Sequence, residues 1–313
     1  MAGKPVTFLA LTTAKDFIAS MRAFVTPVAL GLLLIAAALR ADAGEDVRAS
    51  PWREIAPGVQ AARGDELGAD ARWGARLSLV DPAQVQLSVQ FDPQTPRIAE
   101  WRARNPAALL LVNGSYYSLE HTVRPTCDLI SSGKLVHGAG CHVRDALYLG
   151  AQASSAAGPA ARILTPDEFL ASDWSEALKS FPSLVRGGVP GCLSAGYCAE
   201  SSRTAAVAVL RDGRLLFFAT QWPAVRRDVA RFLAEQMGAV EALNLDGGPE
   251  ATMVLRGEQI EESVATPGTP LPLMLAVLPR PPAHAPPAPP AAPPPSRPTG
   301  TSPPATGAPR RAP

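Results

Sequence analysis

One short stretch limits the possible folds of this chain more than any other. Residues 240–245 are mostly apolar, which predicts a buried strand, and Asp246, Gly247 and Gly248 follow directly. The strand would fix the position of the Asp246 carboxylate, and two residues without Cβ would let a ligand approach the backbone closely. Because Asp-Gly is also a common turn dipeptide, this stretch alone leaves a turn and a binding site as equal alternatives.

Length and charge limit the classes of protein to which this chain can belong. The chain has 313 residues, of which 47% are hydrophobic, and its formal net charge is +1. This is enough for one sizeable core or two small ones. The near-zero charge and the absence of a long basic run in the sequence argue against nucleic acid as a partner.

The N-terminus has the pattern of an export signal. Residues 25–39 form an apolar run of the right length, Arg22 provides the preceding positive charge, and residues 41–43 (Ala-Asp-Ala) supply a cleavage site. Because the preceding segment is unusually long, Met21 is an alternative start. We predict a signal over residues 1–43. The alternative is an uncleaved anchor, which would then be the only contact with a membrane, although the run is short for a membrane span.

The four cysteines agree with export, since disulfides persist in oxidising compartments. Three connectivities are open to them, and the simplest pairs are local, Cys127–Cys141 and Cys192–Cys198. His142 beside Cys141 makes a metal site an alternative, but no CxxC pair has zinc-like spacing. We predict two disulfides in a periplasmic or secreted bacterial protein.

The C-terminus differs in composition from the rest of the chain. Residues 281–313 hold 14 of the 33 prolines, mixed with alanine and small polar residues. Such a segment lacks the apolar groups for a core, which predicts a disordered, Pro/Ala-rich tail over residues 280–313. The folded part is then one domain over residues 44–279.

Most of this domain has the sequence pattern of strands, with short apolar runs or alternating apolar and polar residues. Runs of this kind cover residues 76–80, 85–91, 107–112, 129–137, 205–210 and 215–219, the last two flanking the hairpin dipeptide Asp212-Gly213. Helices are predicted over residues 98–105, 165–179 and 225–237. The second of these begins with a capping-box sequence, from Thr165 to Glu168. Frequent hairpins with interspersed helices favour an α+β fold over a doubly wound parallel sheet.

Four loops carry polar residues at predicted strand ends. They cover residues 113–117, 183–188, 202–204 and 246–250. A lone arginine is usually solvated, and a tyrosine packs as often as it binds. However, Asp246 together with Arg186 and Arg203, each beside a strand, resembles an anion site, because the guanidinium fork matches phosphate oxygens.

The order and spacing of these loops resemble the phosphodiester glycosidase domain family. The resembling segments are residues 111–117, 184–188, 203–207 and 242–248. The resemblance implies mixed, mainly antiparallel curved sheets with a few packed helices. It also implies cleavage of sugar-1-phosphodiester linkages in envelope or extracellular glycans, on the sugar C1 side. A phosphorylated glycan is therefore the expected partner.

The resemblance implies a role for each residue of the site. Asp246 is the predicted carboxylate, as nucleophile or as base for water, and Glu250 its partner or substitute. Arg203 first and Arg186 second would hold the phosphate, and the departing phosphate is weakly basic, so strong general-acid help is less necessary. The other predicted substrate-binding residues are Asn113, Tyr117, Thr204, Asn244, Gly247 and Gly248.

Two departures from the family pattern keep alternatives open. Pro249 and Glu250 stand where the family usually has a third glycine and a small hydroxyl residue. Glu250 adds a second carboxylate near Asp246, so a non-catalytic envelope protein that binds phosphorylated glycans is one alternative. A metal-dependent phosphodiesterase is another. A divalent cation would suit these carboxylates, but one loop supplies too few ligands, and no cofactor is expected.

Overall fold

The computed structural model describes residues 50–119, 122–141, 143, 145–152, 161–192, 195–257 and 261–280. The predicted export signal and the predicted tail beyond residue 280 lie outside these residues. All elements below belong to the compact unit that begins at Trp52. None of the described helices is long and apolar enough to cross a membrane.

Strands dominate the described part of the chain. They are β1 (Arg53–Ala56), β2 (Val59–Arg63), β3 (Arg76–Val80), β4 (Val85–Phe91), β5 (Leu110–Asn113), β6 (Tyr117–Ser118), β7 (Arg124–Pro125), β8 (Leu129–Ser131), β9 (Lys134–Val136), β10 (Leu147–Ala151), β11 (Ala161–Leu164), β12 (Glu176–Ser180), β13 (Ser183–Arg186), β14 (Val189–Pro190), β15 (Ser201–Ser202), β16 (Ala205–Leu210), β17 (Leu215–Ala219), β18 (Ala224–Val225), β19 (Ala239–Asn244), β20 (Met253–Arg256), β21 (Glu261–Val264) and β22 (Leu273–Pro279).

The described helices are short. They are α1 (Ile98–Arg104), α2 (Ala195–Ala199) and α3 (Arg226–Arg231), which continues as a π-helical turn over Phe232–Gln236. Single 3₁₀ turns cover Asp65–Leu67, Ala71–Trp73, Ala171–Asp173 and Gly248–Glu250.

The strands pair in antiparallel fashion and form three larger sheets. Their strand orders are β1-β2-β3-β17-β16-β19-β13-β14, then β11-β10-β12-β8-β9, and β21-β20-β5-β22-β4. Two small ladders, β15-β18 and β6-β7, complete the described pairing. The prediction of mainly antiparallel sheets with few helices is confirmed.

One hydrophobic core joins the three larger sheets. Leu243 of the first, Leu149 of the second and Leu275 of the third belong to one cluster of buried side chains. Successive strand residues point to opposite faces, so Phe217 enters this core. Phe218 enters a second cluster, which α3 covers on the other face of the eight-stranded sheet.

Most predicted helices and strands are present, although the sequence did not predict which strands pair with each other. The hairpin of β16 and β17, the hairpin of β8 and β9, and the helices at residues 98 and 226 are confirmed. β3 and β4 are strands as predicted, but they join different sheets. Both local cysteine pairs form disulfides, with Cα–Cα distances of 4.7 Å for Cys127–Cys141 and 5.6 Å for Cys192–Cys198.

The predicted helix over residues 165–179 is wrong. The capping hydrogen bonds do form, with the Glu168 N–H donating to Thr165 Oγ1 at 3.2 Å, but they close only a turn. The end of the segment is β12, which pairs with β10 on one side and β8 on the other. These pairings satisfy the backbone on both sides and outweigh the local helix signal.

A buried carboxylate links three strands of two sheets. Glu176, in β12, accepts a hydrogen bond from the N–H of Val89 in β4 at 2.7 Å and from the N–H of Ser132, just after β8, at 2.9 Å. Burial raises the pKa of this carboxyl above its usual range, while the two N–H donors oppose the shift. The side chain therefore serves as the hydrogen-bond acceptor for two backbone donors at a sheet junction.

We expect Glu176→Ala to lower the free energy of unfolding by at least about 2 kcal/mol, because two backbone N–H groups lose their acceptor. Glu168→Ala is the matched control, since its carboxylate also accepts a backbone N–H but is exposed. It should change stability by no more than about 0.5 kcal/mol. Denaturant unfolding measures both, and equal losses would contradict this account of Glu176.

Candidate active site

Asp246 lies just beyond the end of β19, and contacts from another sheet hold its backbone there. The Asp246 N–H donates to the Gly114 carbonyl at 3.0 Å, and its carbonyl accepts from the Asn113 side-chain amide at 2.8 Å. Asn113 Oδ1 accepts from the Thr252 N–H at 2.9 Å. The structure thus uses the side chain of Asn113, a predicted substrate ligand, to hold both ends of the Asp246 loop.

The two glycines after Asp246 are needed by the protein backbone itself. A Cβ at Gly247 would lie 2.8 Å from the Arg203 carbonyl oxygen. Gly248 has φ +64°, and its N–H donates to the same oxygen at 2.9 Å. The close approach predicted here for a ligand is therefore made by the Arg203 backbone.

The Asp246 carboxyl group has strongly altered acidity. It is partly buried, and Oδ1 accepts the Gly247 N–H at 2.8 Å. Burial first, and then the charge of Glu250, raise the pKa of Asp246 to about 7, whereas Gly247 and Arg226 favour its ionised form. A carboxyl with this pKa is present in both protonation states near neutral pH, as acid–base catalysis requires.

Tyr117 and Glu250 lie on one side of Asp246. The Tyr117 hydroxyl lies 3.4 Å from Glu250 Oε1 and 3.4 Å from the Pro270 carbonyl oxygen. Burial, then Glu250 and Asp246, raise the pKa of Tyr117 to about 12. The cavity on this side measures about 10 Å³ and is lined by Asn113, Gly114, Ser115, Tyr117, Asp246, Glu250, Leu271, Pro272 and Leu273. Such a volume holds about one water molecule.

Arg203 has its donors engaged by the protein. Nε donates to the Thr220 carbonyl at 3.3 Å, Nη2 to the Ala251 carbonyl at 2.6 Å, and Nη1 to the Thr266 hydroxyl. Burial lowers the pKa of Arg203, and the charge of Glu250 opposes this shift. The guanidinium thus ties the chain after Glu250 to two other segments.

Thr204 and Asn244, both predicted substrate ligands, are buried side chains. The Thr204 N–H donates to Thr220 Oγ1 at 2.9 Å, and its own hydroxyl donates to the Ser202 carbonyl at 3.3 Å. The Asn244 amide donates to the Tyr116 hydroxyl at 2.7 Å. These two residues form the inner layer of the site behind the Asp246 loop.

The structure does not bring Arg186 to Asp246. The Arg186 guanidinium forms an ion pair with Glu241 at 3.0 Å, and Glu241 precedes Asp246 by five residues, about 16 Å of extended chain. Arg186 lines a separate cavity of about 480 Å³, to which Asp246 does not contribute. Its predicted contact with the phosphate has no support in this placement.

Arg226 takes the place near Asp246 that Arg186 was expected to fill. It is buried, Nη1 donates to the Tyr197 carbonyl at 2.8 Å and to the Glu200 carboxylate at 3.1 Å, and its guanidinium lies 5.6 Å from the Tyr197 ring centre. Three- and four-residue spacing places Arg226 on the same helix face as buried Val229 and Ala230. Arg226 was not among the site residues predicted from the sequence, although a cation on the apolar face of a predicted helix is a signal that could have identified it.

Aromatic side chains connect Arg226 to the inner layer. Tyr116 stacks on Phe181 with ring centres 4.5 Å apart, and Phe181 meets Tyr197 edge-on at 6.3 Å. Burial and the charge of Asp246 raise the pKa of Tyr116, which keeps its hydroxyl neutral. Tyr197 is 43% exposed and forms the outer edge of this row of aromatic rings, which we call the Tyr197 rim.

Several buried polar atoms around Asp246 have no hydrogen-bond partner among the described residues. They are Ser115 Oγ, Arg226 Nε, Asn244 Oδ1 and Thr252 Oγ1. Buried polar atoms normally find a partner in protein, water or ligand, so this cluster is suited to a polar ligand. Over the same described ranges, no group of three or more His, Cys, Asp or Glu side chains is arranged to hold a metal ion.

A comparison with known protein families covers the part of the chain that carries these residues. The sequence model of the phosphodiester glycosidase family matches residues 107–278, more than half of the chain, and includes the Asn113, Arg203 and Asp246 loops. The chain therefore belongs to the phosphodiester glycosidase family. No curated protein sequence matches it.

Two solved structures share the fold. The catalytic domain of zebrafish N-acetylglucosamine-1-phosphodiester alpha-N-acetylglucosaminidase, auto-inhibited by its pro-peptide, is 19% identical with a TM-score of 0.51, over 73% of this chain and 86% of that one. A hypothetical protein from Synechocystis is 15% identical with a TM-score of 0.50, over 74% of this chain. The match covers 64% of the Synechocystis protein, less than two thirds of its length.

We expect Glu250→Gln to lower the pKa of Asp246 below about 7, because a negative charge that disfavours ionisation is removed. Titration of the Asp246 side-chain carboxyl carbon by NMR measures this shift directly. Glu241→Gln, which removes a carboxylate within β19 five residues before Asp246, is the control and should leave the titration unchanged. An unchanged titration in Glu250→Gln would show that the two carboxylates are not coupled.

Proposed function

We propose that this protein is an exported hydrolase of sugar-1-phosphodiester linkages in envelope or extracellular glycans. Its family supports this reaction class. The zebrafish relative of similar fold is by name a glycosidase for N-acetylglucosamine-1-phosphodiesters, which supports the same bond as the target. Two disulfides and the predicted signal support export to a periplasmic or extracellular compartment.

The observation that carries the proposal is the coupled carboxyl pair at the end of β19. Asp246 is partly buried, fixed by backbone contacts and close enough to Glu250 for that charge to raise its pKa. Glycosyl transfer in most glycosidases uses such a pair. Here a sugar C1 would meet the Asp246 carboxylate, and Glu250 would lie beside that carboxylate.

In a sugar-1-phosphodiester, the bond to be broken joins the sugar C1 to a phosphate oxygen. Ionised Asp246 either attacks C1, forming a glycosyl ester that water then hydrolyses, or takes a proton from the water that attacks C1. The electron pair of the C1–O bond stays with the phosphate oxygen, which leaves as a weakly basic phosphate monoester and needs little proton donation. Both routes require the ionised form of Asp246, so both give the same dependence on pH.

The remaining predicted site residues would act mainly through position. Asn113 and the glycine pair hold the Asp246 backbone, Arg203 holds the chain after Glu250, and Thr204 bonds Thr220 and Ser202 behind the loop. Because the cavity beside Tyr117 holds about one water molecule, the sugar would reach Asp246 from outside this cavity, past the exposed Tyr197 ring that contacts Arg226.

We expect kcat/KM for a glycosyl-1-phosphodiester to rise with pH and level off above about 7, because the active form of Asp246 is ionised. Asp246→Asn should lower kcat/KM by about 10²- to 10⁴-fold. Asp228→Asn, on the exposed side of α3, is the control and should retain activity. Full activity in correctly folded Asp246→Asn would exclude the proposed role.

Hydrolysis in ¹⁸O-labelled water separates the alternatives. Label in the sugar supports cleavage at C1, whereas label in the phosphate supports a phosphodiesterase that cleaves the P–O bond. Binding of the phosphodiester without turnover would support the non-catalytic glycan-binding alternative. The test uses alkyl diesters of several sugar 1-phosphates, since the sugar is not specified by the proposal.

A further inference from the structure

A departing phosphate needs a cation, and the two arginines predicted for this role are engaged elsewhere. Arg186 pairs with Glu241 at a distance from the site, and Arg203 donates to three protein oxygens. Arg226 is the buried arginine whose charge acts on Asp246. Its remaining hydrogen-bonding capacity therefore determines whether the site can hold a phosphate.

One edge of the Arg226 guanidinium is unused. Nη1 donates hydrogen bonds to both Tyr197 and Glu200, and Nη2 donates none to the described residues. Nε is buried without a partner among the same residues. Nη2 lies against the Asp246 loop, 3.7 Å from where a Cβ of Gly247 would be. The Nε–Nη2 edge is the fork that binds two phosphate oxygens in parallel.

The guanidinium is held in place by its surroundings. The ring and the carbonyl of Tyr197 both contact it, and Tyr197 belongs to α2, which the Cys192–Cys198 disulfide ties to the chain after β14. Glu200, its ion-pair partner, has a side chain that is 61% exposed. Solvent screens that pair, so much of the positive charge remains available to an anion.

We infer that Arg226 binds the phosphate of the substrate through Nε and Nη2, between the Tyr197 rim and the Asp246 loop. This inference rests on the proposed function and adds the residue that holds its leaving group. The phosphate would then lie where Arg226 meets the Asp246 loop, outside the small cavity beside Tyr117. The orphaned Nε would gain an acceptor, and the negative charge that develops as the C1–O bond breaks would face a fixed cation.

Methyl phosphate is the probe, and its binding is measured by isothermal titration calorimetry. Arg226→Gln should weaken binding by at least about tenfold, since a charge-assisted pair of hydrogen bonds is lost. Arg226→Lys keeps the charge without the fork and should weaken binding by a smaller factor. Arg227→Gln, the exposed neighbour, is the matched control and should bind like the wild type.

Each outcome decides the inference. Wild-type affinity in Arg226→Gln, or no binding to the wild type, would overturn it. If Arg226→Gln does not fold, wild-type affinity in Arg226→Lys overturns it, and weaker binding supports it. Turnover that does not depend on Arg226 overturns this inference alone, whereas Arg226-dependent phosphate binding without any hydrolysis overturns only the proposed function.

Discussion

The candidate site depends on the side-chain amide of Asn113. This group lies at the end of β5, in a different sheet from β19, and it bonds both the Asp246 carbonyl and the Thr252 N–H. Because Asn113 is buried, these contacts form away from solvent, where leaving a backbone group unpaired is costly. One residue therefore joins two sheets and fixes the loop that carries Asp246 and Glu250.

The chemistry of the loop follows from this docking. Holding Asp246 against the protein removes water from its carboxyl group, and the same loop brings Glu250 close, so both effects raise its pKa. Arg226 has the opposite effect on this pKa, because its positive charge favours the ionised carboxylate. The site thus combines a carboxyl poised near neutrality with a buried cation, although each group comes from a different element of the fold.

Local patterns predicted the elements whose partners are close in sequence. The hairpin of β16 and β17 follows from alternation around Asp212-Gly213, and the disulfides close short loops. Thr165 to Glu168 also forms its capping contacts as predicted. The helix expected after it is absent because β8 and β10, distant in sequence, pair with β12, and no local signal reports such partners.

The sequence by itself determined the strand before Asp246, the polar loops at strand ends and the family to which they belong. Those features are encoded in short runs of residues, which periodicity and spacing reveal directly. Only the tertiary structure decided which arginine approaches Asp246. Arg186 lies in a predicted strand-end loop and Arg226 in a predicted helix, and neither position gives a distance from Asp246. Pairing with Glu241 holds Arg186 away, and the buried face of α3 carries Arg226 inward. Such choices depend on contacts between sheets and helices, which a linear pattern does not contain.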